Sequence, residues 1–367
     1  MKQDIKSLTL DELTDAMTAL GQPPYRARQL YGWMHQKLAA SYDDMPNIPK
    51  SLKTLLRDSF EFTSLRQELM QESKIDGTRK YLFSLADGNC IESVWLKYHH
   101  GDSVCVSSQV GCRMGCRFCA STLDGLVRNL LAGEMLDQIY AVIRQTGERV
   151  SNVVIMGSGE PLDNYDNVVR FIRMLSDERG LHISQRNITL STCGLAPQIR
   201  HFADEGLQVT LALSLHAPTD EKRRSLMPVA YRYSLREVLD ACGYYYEKTG
   251  RRLTFEYSLV RGVNDNKEEA VRLVRLLKGS GCGACHVNLI PVNPVEERDY
   301  QGSEPLRVKT FQNLLDQNGI NATIRREMGR DIDGACGQLR RRQLKEKGRM
   351  AAADEAADSG TGKTERE

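Results

Sequence analysis

The sequence has no stretch approaching the roughly 20 consecutive apolar residues that a membrane-spanning helix requires. Its opening segment, Met1 to Leu20, lacks the apolar core of a secretory leader. Both absences lead to the expectation of a cytoplasmic protein with no membrane partner. Charge of one sign is also missing overall, since the formal net charge is only +2, and this by itself says nothing about partners. What is present is an ordinary globular composition, 41% hydrophobic and 27% charged over 367 residues, enough for one large α/β domain plus a small appendage. Ten cysteines would suit a secreted disulfide framework only in a much shorter chain. Here they point to metal or redox chemistry in a reducing compartment.

Helical spacing of apolar residues in LDELTDAMTAL and YRARQLYGWMHQKL, broken by Gly21, Pro23 and Pro24, predicts a small helical domain over residues 1–60. Its Arg26, Arg28 and Lys37 are candidate nucleic-acid contacts, although a solvated face explains them equally well. KYLFSL and CIESVWL, separated by Asp87-Gly88-Asn89, predict a connecting β-hairpin over 61–98. From 99 to 345 strands and helices alternate. Six strands counted from Val104 precede the last helix, too few for a closed eight-stranded barrel. The expected architecture is therefore α/β, a partial (β/α)6 barrel with a small N-terminal helical domain and chemistry at the carboxyl ends of its strands. Few large apolar residues remain in 346–367, which reads as a disordered tail. Between Arg325 and Arg349 nine basic residues face four acidic ones, a local excess that suits phosphates but is also what a solvated helix carries.

The chain is organised around CVSSQVGCRMGCRFC at 105–119, in which Cys112, Cys116 and Cys119 are spaced C-x3-C-x2-C. Thiolates so close on one loop can point at one inorganic centre, and three ligands rather than four leave one coordination position open. A four-iron cluster with an open iron is the leading reading. A zinc knuckle with a distant fourth ligand and a set of buried free thiols are the alternatives. MGSGEP at 156–161 lacks both the P-loop lysine and dinucleotide-fingerprint spacing, so a ligand loop and a tight turn are equally good readings. Glu92 reads as an outward-facing strand residue in preference to a positioned base. His216 ends the strand LALSLH as a packed histidine or a ligand. Cys282 and Cys285 fall at the amino end of a strand, away from that face, and read as free thiols, as do Cys90, Cys193 and Cys242. Cys336, in DIDGACGQL, receives no role from the residues alone.

Taken together, the cysteine motif with Phe118 before its last cysteine resembles the radical S-adenosylmethionine (SAM) superfamily. CVSSQVGC, GEPLDN, LSLHAP, NLIPVNP and ACGQLR, in that order, resemble the RlmN/Cfr family of RNA adenosine methyltransferases, its C2-methylating branch most closely. Ser158 departs from that family's MGMGE pattern. The resemblance implies a [4Fe-4S] cluster on Cys112, Cys116 and Cys119, with SAM on its open iron. It implies SAM contacts from Gly159, Glu160, Ser191, Ser214, Leu215, His216 and Asn293. Cys336 matches the cysteine that is itself methylated, Cys105 the one that resolves the covalent intermediate, and Glu92 a glutamate that acts as proton acceptor.

The implied substrate is an adenosine of 23S rRNA at the peptidyl-transferase centre, methylated at C2, with some members also acting on the adenosine beside the tRNA anticodon. The implied electron donor is a flavodoxin or ferredoxin, and the implied state is a monomer. The alternative within the family is methylation at C8. The alternative from another class is a zinc-stabilised RNA-binding protein without catalysis.

Overall fold

The computed structural model describes residues 2–99, 101–283, 285–292, 297–332, 337–343 and 345. Asn293, Cys336 and the tail 346–367 lie outside the described residues. The N-terminal region forms α1 (Leu10–Ala19), α2 (Tyr25–His35) and α3 (Lys50–Ser59), closed by a short parallel pairing of β1 (Gln3–Asp4) with β2 (Phe60–Glu61). Helix α1 starts at a capping box: Thr9 Oγ1 accepts the Glu12 N–H, and the Glu12 carboxylate accepts the Thr9 N–H.

Next come β3 (Arg66–Glu72), β4 (Arg79–Ser84) and β5 (Cys90–Leu96), an antiparallel set. The connecting region thus has three strands rather than the expected two. It is also no separate hairpin, because β5 pairs antiparallel with β6 (Asp102–Cys105) and so extends the main sheet. A separate ribbon of β7 (Gln109–Gly111) and β8 (Leu126–Asn129) carries the cysteine loop between its strands.

Regular alternation follows through α4 (Ala132–Thr146), β9 (Val150–Ile155), α5 (Tyr165–Ser176), β10 (Ile188–Thr192), α6 (Ala196–Asp204), β11 (Thr210–Ser214) and α7 (Asp220–Leu226). It continues with α8 (Leu235–Thr249), β12 (Leu253–Leu259), α9 (Lys267–Lys278), β13 (Cys285–Pro291), α10 (Pro305–Gln317) and β14 (Asn321–Ile324). Strands β6 and β9 to β13 are the six expected, all parallel, and β14 adds a parallel edge. The sheet runs from β14 through β13, β12, β11, β10, β9, β6, β5 and β4 to β3 without closing, which makes a partial barrel. Apolar strand residues such as Val104, Val153, Leu190, Leu213, Phe255 and Val287 are buried where the helices cover the sheet. No helix among the described residues is long and apolar enough to cross a membrane.

The N-terminal helices dock on the outer barrel helices through buried polar groups. Lys6 Nζ lies 2.7 Å from Asp137 Oδ1 on α4, both side chains fully buried, and Asp137 Oδ2 accepts the Leu65 N–H at 2.8 Å. Two charges taken out of water this way hold only as a pair. Tyr31 donates to Asp177 at 3.0 Å, and His35 Nδ1 meets the Tyr140 hydroxyl at 2.8 Å.

Burial, and secondarily the Lys6 charge, pushes His35 down to about 3 from its ordinary 6.5. An unfolded chain therefore takes up a proton near pH 6.5 that folded His35 refuses until about pH 3. The expected outcome is stability that is level above pH 6.5 and falls on acidification, by about 1.4 kcal/mol per pH unit for this one group. Urea midpoints of wild type and His35→Gln at pH 7.5 and 5.0 check this, with the smaller acid loss expected in the variant.

Candidate active site

A cavity of about 380 Å³ opens at the carboxyl ends of the parallel strands. Cys105, from the last position of β6, lines it together with Cys112, Cys116 and Cys119. Gly159 and Glu160 enter from the loop after β9, and Ser191, Ser214 and His216 from the ends of β10 and β11. The face expected from barrel topology is therefore the face that carries the concavity.

The cysteine loop is held by its own backbone. Cys112 N–H donates to Gly125 C=O at 2.8 Å, Arg117 N–H to Leu226 C=O at 2.9 Å, and Thr122 Oγ1 to the carbonyls of Cys116 and Cys119, each at 3.0 Å. Burial pushes the Cys112 thiol up to about 12, and the Cys116 thiol is also driven well above its usual value by burial, then by its neighbours Cys119 and Cys112. Without a metal these thiols stay protonated; a bound metal deprotonates them outright. A mononuclear zinc, with Zn–S near about 2.3 Å, needs its ligands gathered tightly around one point. Three thiols on one loop at a cavity wall match the ligand type and number of an iron–sulfur group in which each thiolate takes its own iron.

The strand feeding this loop breaks its apolar character at Ser107-Ser108-Gln109, and all three are buried. Ser107 N–H donates to Gln138 Oε1 at 2.8 Å, Gln138 Nε2 donates back to Ser107 C=O at 3.0 Å, and Ser107 Oγ donates to Glu92 C=O at 2.7 Å. The N–H groups of Ser108 and Gln109 both donate to Ser158 C=O, and Glu160 N–H donates to Gln109 Oε1 at 2.9 Å. The two loops that build the cavity are thus bonded to each other. Gly159 sits at φ +113°, and a Cβ there would lie 2.7 Å from Gln109 Cβ. Its glycine identity is required by this crossing of backbones. Ser158, the departure from the family pattern, places its hydroxyl 3.1 Å from that of Ser121 beside the cysteine loop.

Glu160 is buried, its carboxylate accepting the N–H groups of Cys193 at 2.7 Å and Leu162 at 3.1 Å, and burial raises its pKa. His216 adopts φ +55°, packs edge-on against Phe118 and accepts the Ser258 N–H on Nδ1 at 3.0 Å. Burial, then the Arg223 charge, pushes it down to about 3. It is neutral, with its proton on Nε2.

Residues 106–274 match the radical SAM superfamily, and residues 3–62 match the ribosomal RNA large subunit methyltransferase N-terminal domain. A probable dual-specificity RNA methyltransferase RlmN of Lachnospira eligens is 60% identical over 343 residues, covering 94% of this chain and 97% of that one. The protein of the same description in Clostridium perfringens strain SM101 is 54% identical over 346 residues, 94% of this chain and 99% of that one. The crystal structure of a radical SAM methyltransferase from Sphaerobacter thermophilus superposes with a TM-score of 0.87 at 44% identity, over 92% of this chain and 98% of that one. The chain belongs to the RlmN family of radical SAM RNA methyltransferases.

Glu92 and Leu215 do not line the cavity, and the outward-facing reading of Glu92 from its strand pattern does not hold. Glu92 does not face outward: it is buried, 3.0 Å from the buried Lys80 Nζ, and accepts the N–H groups of Gly337 and Arg340, each at 2.6 Å. Its partners come from the next strand and from a helical turn at 338–343, neither of which strand alternation reveals. Gly337, at φ +83°, rests against Ser121, so this turn packs on the cysteine loop. Leu215 is not on the cavity wall; its side chain is in the core, and its backbone bonds Glu256 and Arg223.

Cys282 is buried and Cys285 half-buried at the start of β13, both free thiols, as are Cys193 and Cys242; Cys90 is buried. Cys193 nevertheless lines the cavity, as does Glu256, a buried carboxylate one strand beyond Ser214 that no motif flagged. In the basic run, Arg341 and Lys345 pair with Glu297 and Arg330 with Glu327, whereas Arg325 and Arg326 are exposed at the cavity mouth.

Replacing Gln138 by Leu leaves the N–H and C=O of Ser107 unbonded in the interior. The expected cost is about 2–4 kcal/mol of unfolding free energy, read from chemical denaturation, with α4 still helical by circular dichroism.

Proposed function

We propose that the chain methylates C2 of an adenosine in 23S rRNA at the peptidyl-transferase centre, and C2 of the adenosine on the 3′ side of a tRNA anticodon. The observation that carries this reading is the convergence of Cys105 with Cys112, Cys116 and Cys119 on one cavity. Adenine C2 is an electron-poor carbon that cannot attack a sulfonium methyl directly, so a polar one-step transfer has no use for a separate thiol beside a cysteine triad. When bound to Cys112, Cys116 and Cys119, a [4Fe-4S] cluster with SAM on its open iron supplies reductive cleavage of SAM and thereby hydrogen abstraction from a methyl group.

The chain's own residues do the rest. The Cys336 thiolate takes a methyl group from one SAM and presents it to the base, which leaves Cys336 linked through that carbon to C2. As the adduct gives up one electron to the redox centre that supplied it, Glu92 accepts the proton displaced from C2. Its charge is balanced by Lys80, and the two N–H groups it accepts come from the turn that begins one residue after Cys336. The Cys105 thiolate then attacks the Cys336 sulfur, forming a disulfide and breaking the Cys336 S–C bond; the released carbon keeps the electron pair and takes up a proton to become the methyl group, and external reductant restores both thiols.

Glu160 offers a buried carboxylate for the ammonium of SAM, Gly159 lets the ligand approach the backbone, and Ser191, Ser214, His216 Nε2–H and Asn293 supply further polar contacts. Arg325 and Arg326 at the mouth, with Arg26, Arg28 and Lys37 on the N-terminal helices, are the candidate phosphate contacts, and the base must leave its stack to enter. In this reading a reduced flavodoxin or ferredoxin is the electron donor, and the chain works as a cytoplasmic monomer.

Support for the RNA class comes from the relatives' printed description as dual-specificity RNA methyltransferases. The test is anaerobic incubation with an rRNA fragment or tRNA, SAM and reductant, followed by nucleoside mass spectrometry. 2-Methyladenosine is expected from both RNAs, whereas 8-methyladenosine without it would overturn the C2 assignment. Cys336→Ala should abolish methyl transfer and keep the cluster; retained RNA methylation would remove Cys336 from the reaction.

A further inference from the structure

We propose that Arg223 is a built-in counter-cation for the iron–sulfur cluster, a positioning residue that raises the potential at which the cluster accepts its electron. The inference rests on the reading of Cys112, Cys116 and Cys119 as cluster ligands. Arg223 lies on α7 with its side chain fully buried. Its Nη2 donates to Cys193 C=O at 2.6 Å and Ser214 C=O at 3.3 Å, and its Nε to Leu215 C=O at 3.3 Å. Nη1 has no hydrogen-bond partner, and among the described residues no carboxylate pairs with the guanidinium.

A fully buried cation facing only carbonyl dipoles is costly, and buried charges are ordinarily paired. The loop that carries the cluster cysteines is the neighbour best placed to supply the missing charge. Helix α7 is bonded to it through Arg117 N–H and Leu226 C=O at 2.9 Å, while Cys193 and Ser214, whose carbonyls Arg223 grips, line the same cavity as Cys116. Burial lowers the Arg223 pKa, and negative charge placed on Cys193 or Cys116 would offset this ahead of Asp220.

A doubly positive four-iron core held by three thiolates is a monoanion, and uptake of one electron from an external donor makes it a dianion. A nearby fixed cation stabilises the dianion more than the monoanion, so it favours reduction. The same side chain also stitches the ends of β10 and β11. Lysine keeps the charge but not the planar fork that spans three carbonyls, which separates the two roles.

The test is a redox titration of anaerobically reconstituted holoenzyme without SAM, poised with dithionite and followed by electron paramagnetic resonance. Iron and sulfide are counted for every sample. At a fixed poise, Arg223→Gln is expected to lower the reduced-to-oxidised ratio about tenfold, equivalent to 59 mV for a one-electron couple. Arg223→Lys is expected to stay within about threefold of wild type while its thermal midpoint falls. A fully loaded Arg223→Gln with the wild-type ratio overturns the inference and leaves the cluster reading standing. Wild type that takes up no iron and sulfide overturns the cluster reading itself. If Arg223→Gln does not fold, Arg223→Lys decides: a ratio near wild type supports the inference, and a tenfold fall overturns it.

Discussion

Just beyond the carboxyl end of β6, Ser107, Ser108 and Gln109 are fixed by hydrogen bonds with side chains and with the loop after β9. Ser107 is clamped between Gln138 of α4 and the Glu92 carbonyl of β5, the N–H groups of Ser108 and Gln109 bond Ser158 C=O from the loop after β9, and the Gln109 side-chain oxygen accepts the Glu160 N–H. Asn164 closes the set by donating to the carbonyls of Ser108 and Leu130. Because the cysteine ribbon begins at Gln109, the direction in which Cys112, Cys116 and Cys119 project depends on these bonds. In a low-dielectric interior such a network is strong when complete and costly when one member is missing.

The barrel was legible in the sequence because each parallel strand is a short apolar run and each helix repeats at 3.6 residues, so local pattern and tertiary burial agree. The cysteine spacing, the GE pair and the strand ends Ser191, Ser214 and His216 were legible because each lies on a loop or terminus whose side the topology dictates. Glu92 was not, since its burial depends on Lys80 across the strand pair and on a turn some 245 residues further along the chain. In SLH at the end of β11, Ser214 and His216 line the cavity while the Leu215 side chain turns into the core. For Glu256 and Arg223 the only signal was a charge set within an otherwise covered strand or helix face, which sequence alone cannot separate from a solvated position.

Buried charge recurs at each joint of the molecule, in different states of compensation. Lys6 and Asp137 pair where the N-terminal helices meet α4, and Lys80 and Glu92 pair where the 338–343 turn meets β5. Glu160 is satisfied by backbone N–H groups, Glu256 has the Asn288 amide on Oε1 and no hydrogen-bond partner on Oε2, and Arg223 meets carbonyls alone. The paired charges join pieces of the fold. Glu160 and Glu256 both form part of the cavity wall, as do Cys193 and Ser214, whose carbonyls Arg223 grips.

The central claim is that three cysteines hold a four-iron cluster with one open iron. It is tested most directly by Mössbauer spectroscopy of the anaerobically purified, iron-57-labelled protein before and after SAM is added. The account predicts about four irons and four sulfides per chain, with one iron site changing its spectrum when SAM binds. A colourless protein carrying stoichiometric zinc and no sulfide would contradict it.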